Sequence, residues 1–323
     1  MKAIIYEKYG PPDVLKVTDV EKPQPEDGEV LVKVHAASLN FGDNVLLRGK
    51  PLIGRLWSGP FKPKYKILGT DIAGQVEAVG GNVRELKVGD AVFGDISQHG
   101  FGAFTEYAAV PENVLALKPD NITFEQAASV PQAAVVALQG LRTKGNIQAG
   151  QKVLVNGASG GVGTFAVQIA KSFDCQVTGV CSSRHSDLVR SIGADHVIDY
   201  IREDFTQGDQ KYDLVLDIVA NRSVADYKRS LNAKGTYVAV AFNATSLFLG
   251  PLLSKKDGIK VRSLSALPNL DDLVYVRDLL EAKKVIPIID KQFSLAEVPQ
   301  AFDYVEKEKH HGKVIIRVSA NDD

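Results

Sequence analysis

Val153 to Lys171 reads VLVNGASGGVGTFAVQIAK. A short apolar run predicts a strand, a glycine turn follows, and an Ala- and Val-rich segment predicts a helix. Gly157, Gly160 and Gly163 stand at G-x-x-G-x-x-G spacing, and Gly161 adds a fourth position without Cβ. A turn of this kind lets backbone approach a pyrophosphate and aims the free N–H groups of a helix N-terminus at it. The strand–turn–helix context is what the motif requires. Gly157, Ala158, Ser159, Gly160, Gly161, Val162 and Gly163 are therefore candidate dinucleotide-binding residues. Gly157 to Gly161 also matches G-x-S-x-G, the nucleophile elbow of α/β-hydrolases, with Ser159 as nucleophile and His185, His196, His310 or His311 as base. The additional glycines suit a phosphate cradle better.

Working outward, strand and helix patterns alternate. Strands are predicted at Val153–Asn156, Gln176–Cys181, His196–Ile198, Leu214–Val219, Thr236–Ala241 and Lys260–Ser265. Helices are predicted at Gly161–Phe173, Ser186–Ile192 and Ser223–Leu231. Alternation of this kind means βαβ units and a parallel sheet. Before it, Thr123 to Lys144 reads as helix capped by Thr123 and interrupted at Pro131. The first third is β-rich, with seven short runs between Lys2 and Leu117 separated by Gly, Pro, Asp and Asn, the pattern of a small barrel or sandwich. Two amphipathic helices, Asp271–Ala282 and Leu295–Lys309, and a strand, Val314–Val318, close the chain.

The second strand of the alternating region ends Gly179-Val180-Cys181-Ser182-Ser183-Arg184. An NAD-preferring fold places an acid there to bind the ribose 2′-OH. Two hydroxyls and a guanidinium suit a 2′-phosphate instead. Ser182, Ser183, Arg184 and Tyr200 are read as the adenosine end of an NADP(H) site, with Val219, Ala241 and Phe242, at the ends of later strands, completing it.

The 323 residues predict about two domains. A net charge of −1 argues against nucleic acid as partner. The N-terminus lacks the apolar core of a signal peptide. The uncharged runs Val153–Ala170 and Gly235–Ser254 are too polar and glycine-rich to predict a transmembrane segment. Cys175 and Cys181 can form neither a disulfide framework nor a four-cysteine zinc site, and a cytoplasmic setting is expected.

The chain resembles the medium-chain dehydrogenase/reductase superfamily, and within it the zinc-independent quinone oxidoreductases related to zeta-crystallin. The resemblance runs through Met1–Pro25, VHAASLNFGD (Val34–Asp43), ILGTDIAGQVEAVGGNV (Ile67–Val83), KVGDAVFG (Lys87–Gly94) and GAFTEYAAVPEN (Gly102–Asn113). It continues through the glycine turn, GADHVIDY (Gly193–Tyr200) and GKVIIRV (Gly312–Val318). It implies an α/β protein with a GroES-like β-rich catalytic domain, 1–122, to which the C-terminal segment 268–323 returns. A Rossmann doubly wound parallel-sheet domain, 123–267, would bind NADP(H). It also implies a homodimer, for which Thr236–Ala241 and Lys260–Ser265 are candidate sheet edges.

In the zinc-dependent branch of that superfamily the metal is held by Cys and a His-Glu pair; here Asn40 and Thr70-Asp71 stand at those places. No metal is expected from them. Two hydroxyls common among relatives are also lost, to Val45 and Val136. Asn40, Asp43, Thr70 and Asp71 are the candidate catalytic residues, with Asn40 contacting substrate or nicotinamide and Asp43 capping a helix. Trp57, Phe61, Phe101, Phe242 and Leu247–Leu253 are candidates for an apolar substrate wall. Without a Lewis acid, hydride transfer from NADPH to a small apolar conjugated carbonyl, a quinone or α,β-unsaturated carbonyl, is the expected reaction. The competing readings are an NADPH-binding structural protein of the crystallin kind and an alcohol dehydrogenase.

Overall fold

The computed structural model describes residues 1–240, 258–308 and 310–318, leaving aside the side chains of Ile53 and Trp57. Two compact units divide the chain. The first is Met1–Gln132 with Pro268–Glu281 and Pro287–Asp323; the second is Ala133–Leu267 with Ala282–Ile286.

The first unit contains β1 (Lys2–Ile5), β2 (Lys16–Asp19), β3 (Glu29–Leu39), β4 (Asp71–Val79), β5 (Ala91–Asp95), β6 (Tyr107–Pro111) and β7 (Leu115–Leu117). The second contributes β8 (Lys152–Asn156), β9 (Gln176–Cys181), β10 (His196–Asp199), β11 (Tyr212–Asp217), β12 (Leu231–Ala239) and β13 (Lys260–Ser263). The chain then supplies β14 (Ile289–Ser294) and β15 (Lys313–Arg317) to the first unit.

The seven-stranded sheet of the first unit runs β14-β15-β3-β4-β5-β7, with β6 also paired to β3. Its hub is β3, an 11-residue strand. One edge pairs with β4 along most of its length; the other takes β6 on its first half and the returning β15 on its second. Register shifts at Leu31/Val32 and Val34/Ala36 bend β3 so that the two halves can serve different neighbours. The core beneath contains Ile4, Val32, Leu39, Phe104, Phe302, Val314 and Ile316. Phe302 comes from the helix Val298–Lys307 and meets Phe104 edge-on, centroids 6.2 Å apart.

Thr123 caps the helix Phe124–Ala128, accepting from Gln126 N–H at 3.2 Å while Gln126 Oε1 accepts from Thr123 N–H. The predicted break falls at Pro131, which begins a second helix, Pro131–Leu138. The first helix belongs with the first unit, where Phe124 stacks on His35 at 4.3 Å.

The six described strands of the second unit are all parallel, in the order β10-β9-β8-β11-β12-β13. Counted from β8 this is 3-2-1-4-5-6, the doubly wound arrangement whose ligand crevice lies where the order reverses, between β8 and β11. β12 pairs on both sides, so Thr236–Ala239 is no sheet edge; among the described residues the edges are β10 and β13. β14 has no counterpart in the sequence reading, because Asp290, Lys291 and Gln292 interrupt its apolar pattern.

Phe302→Ala removes a side chain that is 1% exposed and ties the last helix to the core. Unfolding in urea should show a loss of about 3–5 kcal/mol, the range for a buried aromatic truncated to Ala.

Candidate functional site

Strand register assembles a buried polar row in the first unit. Ser38 on β3 pairs with Asp71 on β4, and Asp71 pairs with Asp95 on β5. Lys313 opens β15 beside the end of β3, where Leu39 pairs with Val314. Chain order puts Asn40 immediately after β3 and Thr70 immediately before β4. Ser38, Asn40, Asp43, Thr70, Asp71, Asp95 and Lys313 are all buried.

Asn40 organises the row. Its Nδ2 donates to Thr70 Oγ1 and to Asp71 Oδ2, both at 2.9 Å. Its Oδ1 accepts from Lys313 Nζ at 2.5 Å. Lys313 Nζ also lies 3.6 Å from Asp71 Oδ2. Asp71 further accepts from Ser38 Oγ at 2.9 Å and from the Gln132 backbone N–H at 3.0 Å. Both amide hydrogens of Asn40 are thereby committed, whereas Thr70 Oγ1 is used as an acceptor and keeps its own hydrogen for donation.

Asp43 lies within the helix Phe41–Arg48 rather than before it. Asn40 is the N-cap, and Asp43, three residues on, accepts from the Asn40 backbone N–H at 2.8 Å. Its other oxygen accepts from Gly69 N–H at 3.0 Å. Asp43 therefore fastens the β3–helix turn to the approach of β4.

Burial raises all three carboxyls. Asp43 is pushed up to about 7, against the two backbone N–H bonds that favour its charge. Asp95 is pushed up to about 6 by burial and by neighbouring Asp71. Burial lifts Asp71 and lowers Lys313, and in both cases the partner's opposite charge opposes the shift.

In the second unit the helix Gly161–Ser172 starts directly after the glycine turn, and no side chain caps its N-terminus. Its first N–H groups therefore remain for a ligand. Gly157 has φ +90, and a Cβ there would stand 2.7 Å from Val219 Cγ2. A Cβ at Gly163 would collide with the backbone of Gly157 and Ala158. The left-handed residue is Gly157, not Ser159, so the strained serine of a nucleophile elbow is not formed. Ser159 Oγ instead lies 3.3 Å from His185 Nδ1, linking the turn to the segment after β9. In that segment Ser182 is buried, and Ser183 and Arg184 are exposed. Tyr200, 45% exposed, donates its backbone N–H to Cys181 O at 3.1 Å, which places it beside them. These features fit a dinucleotide carrying a 2′-phosphate. Ala241, Phe242 and Leu247–Leu253 lie outside the described residues. Phe61 stands 93% exposed, and Phe101, half-buried, meets Tyr65 edge-on at 4.9 Å.

Several residues of both sites escape a reading of the sequence. Asp217, at the end of β11, accepts from Asn156 Nδ2 at 2.9 Å, Tyr237 OH at 2.7 Å and the N–H groups of Val219 and Ala220. That network sets the loop that brings Val219 against Gly157. Ser38, Asp95 and Lys313 were likewise unmarked. Lys313 reads as a solvated strand end, and only the pairing of β15 with β3 reveals it as buried.

Residues 26–120 match the alcohol dehydrogenase GroES-like domain family, and residues 192–316 match the zinc-binding dehydrogenase family. The chain is 35% identical to the NADPH-dependent alkenal/one oxidoreductase, chloroplastic, of Arabidopsis thaliana, over 98% of this chain and 79% of that protein. It is also 35% identical to 2-methylene-furan-3-one reductase of Solanum lycopersicum, with the same coverage. The quinone oxidoreductase structure from Coxiella burnetii superposes with a TM-score of 0.89 at 29% identity, covering 99% of each chain.

Asp43 and Asp95 bind protons more tightly folded than unfolded, where an Asp titrates near about 3.9. Their contribution to stability is full below that value and is lost as pH rises through about 6 and about 7. Urea midpoints should therefore fall between pH 4 and 7.5. Asp43→Asn should remove part of that slope, by up to about 1.4 kcal/mol per pH unit. A slope identical in both proteins would contradict it.

Proposed function

We propose, for a chain that belongs to the medium-chain dehydrogenase/reductase superfamily and within it to the zinc-independent quinone oxidoreductases, NADPH-dependent reduction of a quinone or an α,β-unsaturated carbonyl. The observation that carries this reading is the Asn40–Thr70–Asp71–Lys313 cluster. The zinc-dependent relatives place metal ligands at its first three positions. Here they offer an amide, a hydroxyl and a carboxylate, all hydrogen-bonded, with a lysine ammonium already among them. Zinc calls for thiolate or imidazole ligands, and a resident ammonium repels a second cation. These residues do not fit the metal implied by the zinc-binding name of the C-terminal family.

A conjugated acceptor needs no Lewis acid, since the charge formed by hydride addition spreads onto its oxygen. Bound NADPH supplies the hydride. The glycine turn Gly157–Gly163 takes the pyrophosphate, and Ser182, Ser183, Arg184 and Tyr200 take the 2′-phosphate and adenosine. We assign the Thr70 hydroxyl as donor to the substrate's developing oxyanion. Asn40 orients that hydroxyl by donating to its oxygen. Asp71 and Lys313 hold Asn40 from opposite ends of its amide, and Asp43 fixes the turn carrying it. Solvent water delivers the proton that completes the reduction.

We also assign a homodimer formed through the β13 edge, testable by light scattering. Cys175 and Cys181 are free and buried, burial raising both thiols, which suits a reducing, cytoplasmic setting. No described helix is long and apolar enough to cross a membrane.

Rates of NADPH oxidation with a quinone or enone substrate, compared across variants, test these roles. Thr70→Val should lower kcat by about a hundred- to a thousandfold, the cost of one oxyanion donor, with NADPH affinity unchanged. An unaltered kcat rejects the assignment. Arg184→Glu should lower kcat/KM for NADPH by about tenfold or more while sparing NADH, as expected when a guanidinium–phosphate pair is lost. Equal losses with both cofactors would place Arg184 elsewhere.

A further inference from the structure

The first unit carries a strongly polarised surface segment that the reaction does not use. Between Asn44 and Thr70 the sequence holds six cations, Arg48, Lys50, Arg55, Lys62, Lys64 and Lys66, and no acid, although the whole chain has a net charge of −1. Arg48 is paired with Glu306 at 2.5 Å, and Arg55 lies over the Tyr9 ring at 4.4 Å. Lys50, Lys62, Lys64 and Lys66 are exposed and have no acidic partner among the described residues. Interleaved with them are large apolar side chains facing water: Leu52 at 67%, Leu56 at 72% and Phe61 at 93% exposure.

The segment is braced. Tyr9 OH donates to Gly59 O at 2.7 Å and accepts from Ser58 Oγ at 2.9 Å. Arg55 Nε donates to Gly49 O, and Lys64 N–H donates to Ser58 O at 2.7 Å. The apolar tips are thus presented on an ordered backbone.

We propose that residues 50–66 form a docking surface for an anionic lipid bilayer. Charge complementarity selects the partner: lysines gain from a negative leaflet, while Leu and Phe tips gain from the acyl boundary. Lysine stems can lie along apolar surface with their ammonium groups in the headgroup layer. Neither nucleic acid nor a soluble acidic protein calls for this alternation of bulky apolar tips and cations within one short segment. The inference goes beyond the oxidoreductase reading, and its test reads binding with no turnover.

The test is flotation of the full chain with vesicles of phosphatidylcholine alone and of phosphatidylcholine mixed equally with phosphatidylglycerol. The expected result is binding to the mixed vesicles alone, weakening as salt rises. Lys62→Glu/Lys64→Glu/Lys66→Glu should lose about a hundredfold in partition, at about fivefold per lysine, with turnover of a water-soluble quinone unchanged. Leu56→Ser/Phe61→Ser should lose about tenfold or more, with the far-ultraviolet circular dichroism of the parent. Absence of flotation with mixed vesicles, equal flotation with both, or full retention by the triple variant overturns the proposal. So does a concentration-dependent dimer that Leu56→Ser/Phe61→Ser abolishes, which would assign the patch to a second copy of the chain.

Discussion

Lys313 reaches Asn40 across 273 positions of sequence, and the first unit is arranged around that contact. A buried ammonium is costly unless its charge is answered. Here Asp71 answers it at 3.6 Å, and Asn40 Oδ1 accepts one of its hydrogens. The pair sits in a row of carboxyls that burial drives toward the neutral form, and the lysine's positive charge is the main influence favouring ionisation of Asp71. Removing either partner would strand the other, at about 3–5 kcal/mol. The same contact fixes the register of β15 on β3 and the orientation of the Asn40 amide. Structure and chemistry at this site therefore depend on one interaction.

The second unit is governed by a different constraint, close approach. Gly163 lets the helix Gly161–Ser172 begin against the backbone of Gly157 and Ala158. Asp217 then gathers Asn156, Tyr237 and the loop after β11, so that Val219 closes on Gly157. Tyr237 and Tyr227 stack at 4.6 Å beneath this loop. The turn that would receive a pyrophosphate is thus bounded by a loop whose shape is set from below by buried hydrogen bonds.

How much of this was legible follows from range of interaction. The glycine turn, the alternation of strands and helices, the Thr123 cap and the break at Pro131 are written in neighbouring residues, and the structure has them. The C-terminal strand was legible in its own residues, and the resemblance pointed to its return to the first unit. The charged row was half legible. Asn40 and Thr70-Asp71 stood out because they replace residues of a known pattern, while Lys313, Ser38 and Asp95 carried no local signal. Their role comes from cross-strand register, which a lysine at a strand start or a serine within one does not announce. β14 was hidden for the same reason, since a polar edge strand lacks the alternation that marks a buried one. Asp43, whose place before a helix suggested a cap or a loop brace, serves as both: it closes the capping box with Asn40 and holds Gly69 N–H.

The order in which the strands occur along the chain has a consequence for biosynthesis. β3, β4 and β5 leave the ribosome before the second unit, but β15, which lies beside β3 in the finished sheet, is made only after β8 to β13. Until it arrives, Asp43, Asp71 and Asp95 have no Lys313, and the second half of β3 has an open edge. The parallel sheet of the second unit meanwhile has its six described strands by Ser263. Nascent chains of this protein should pass through a stage in which the described strands of the nucleotide-binding sheet are all present and the older, N-terminal sheet still awaits β14 and β15.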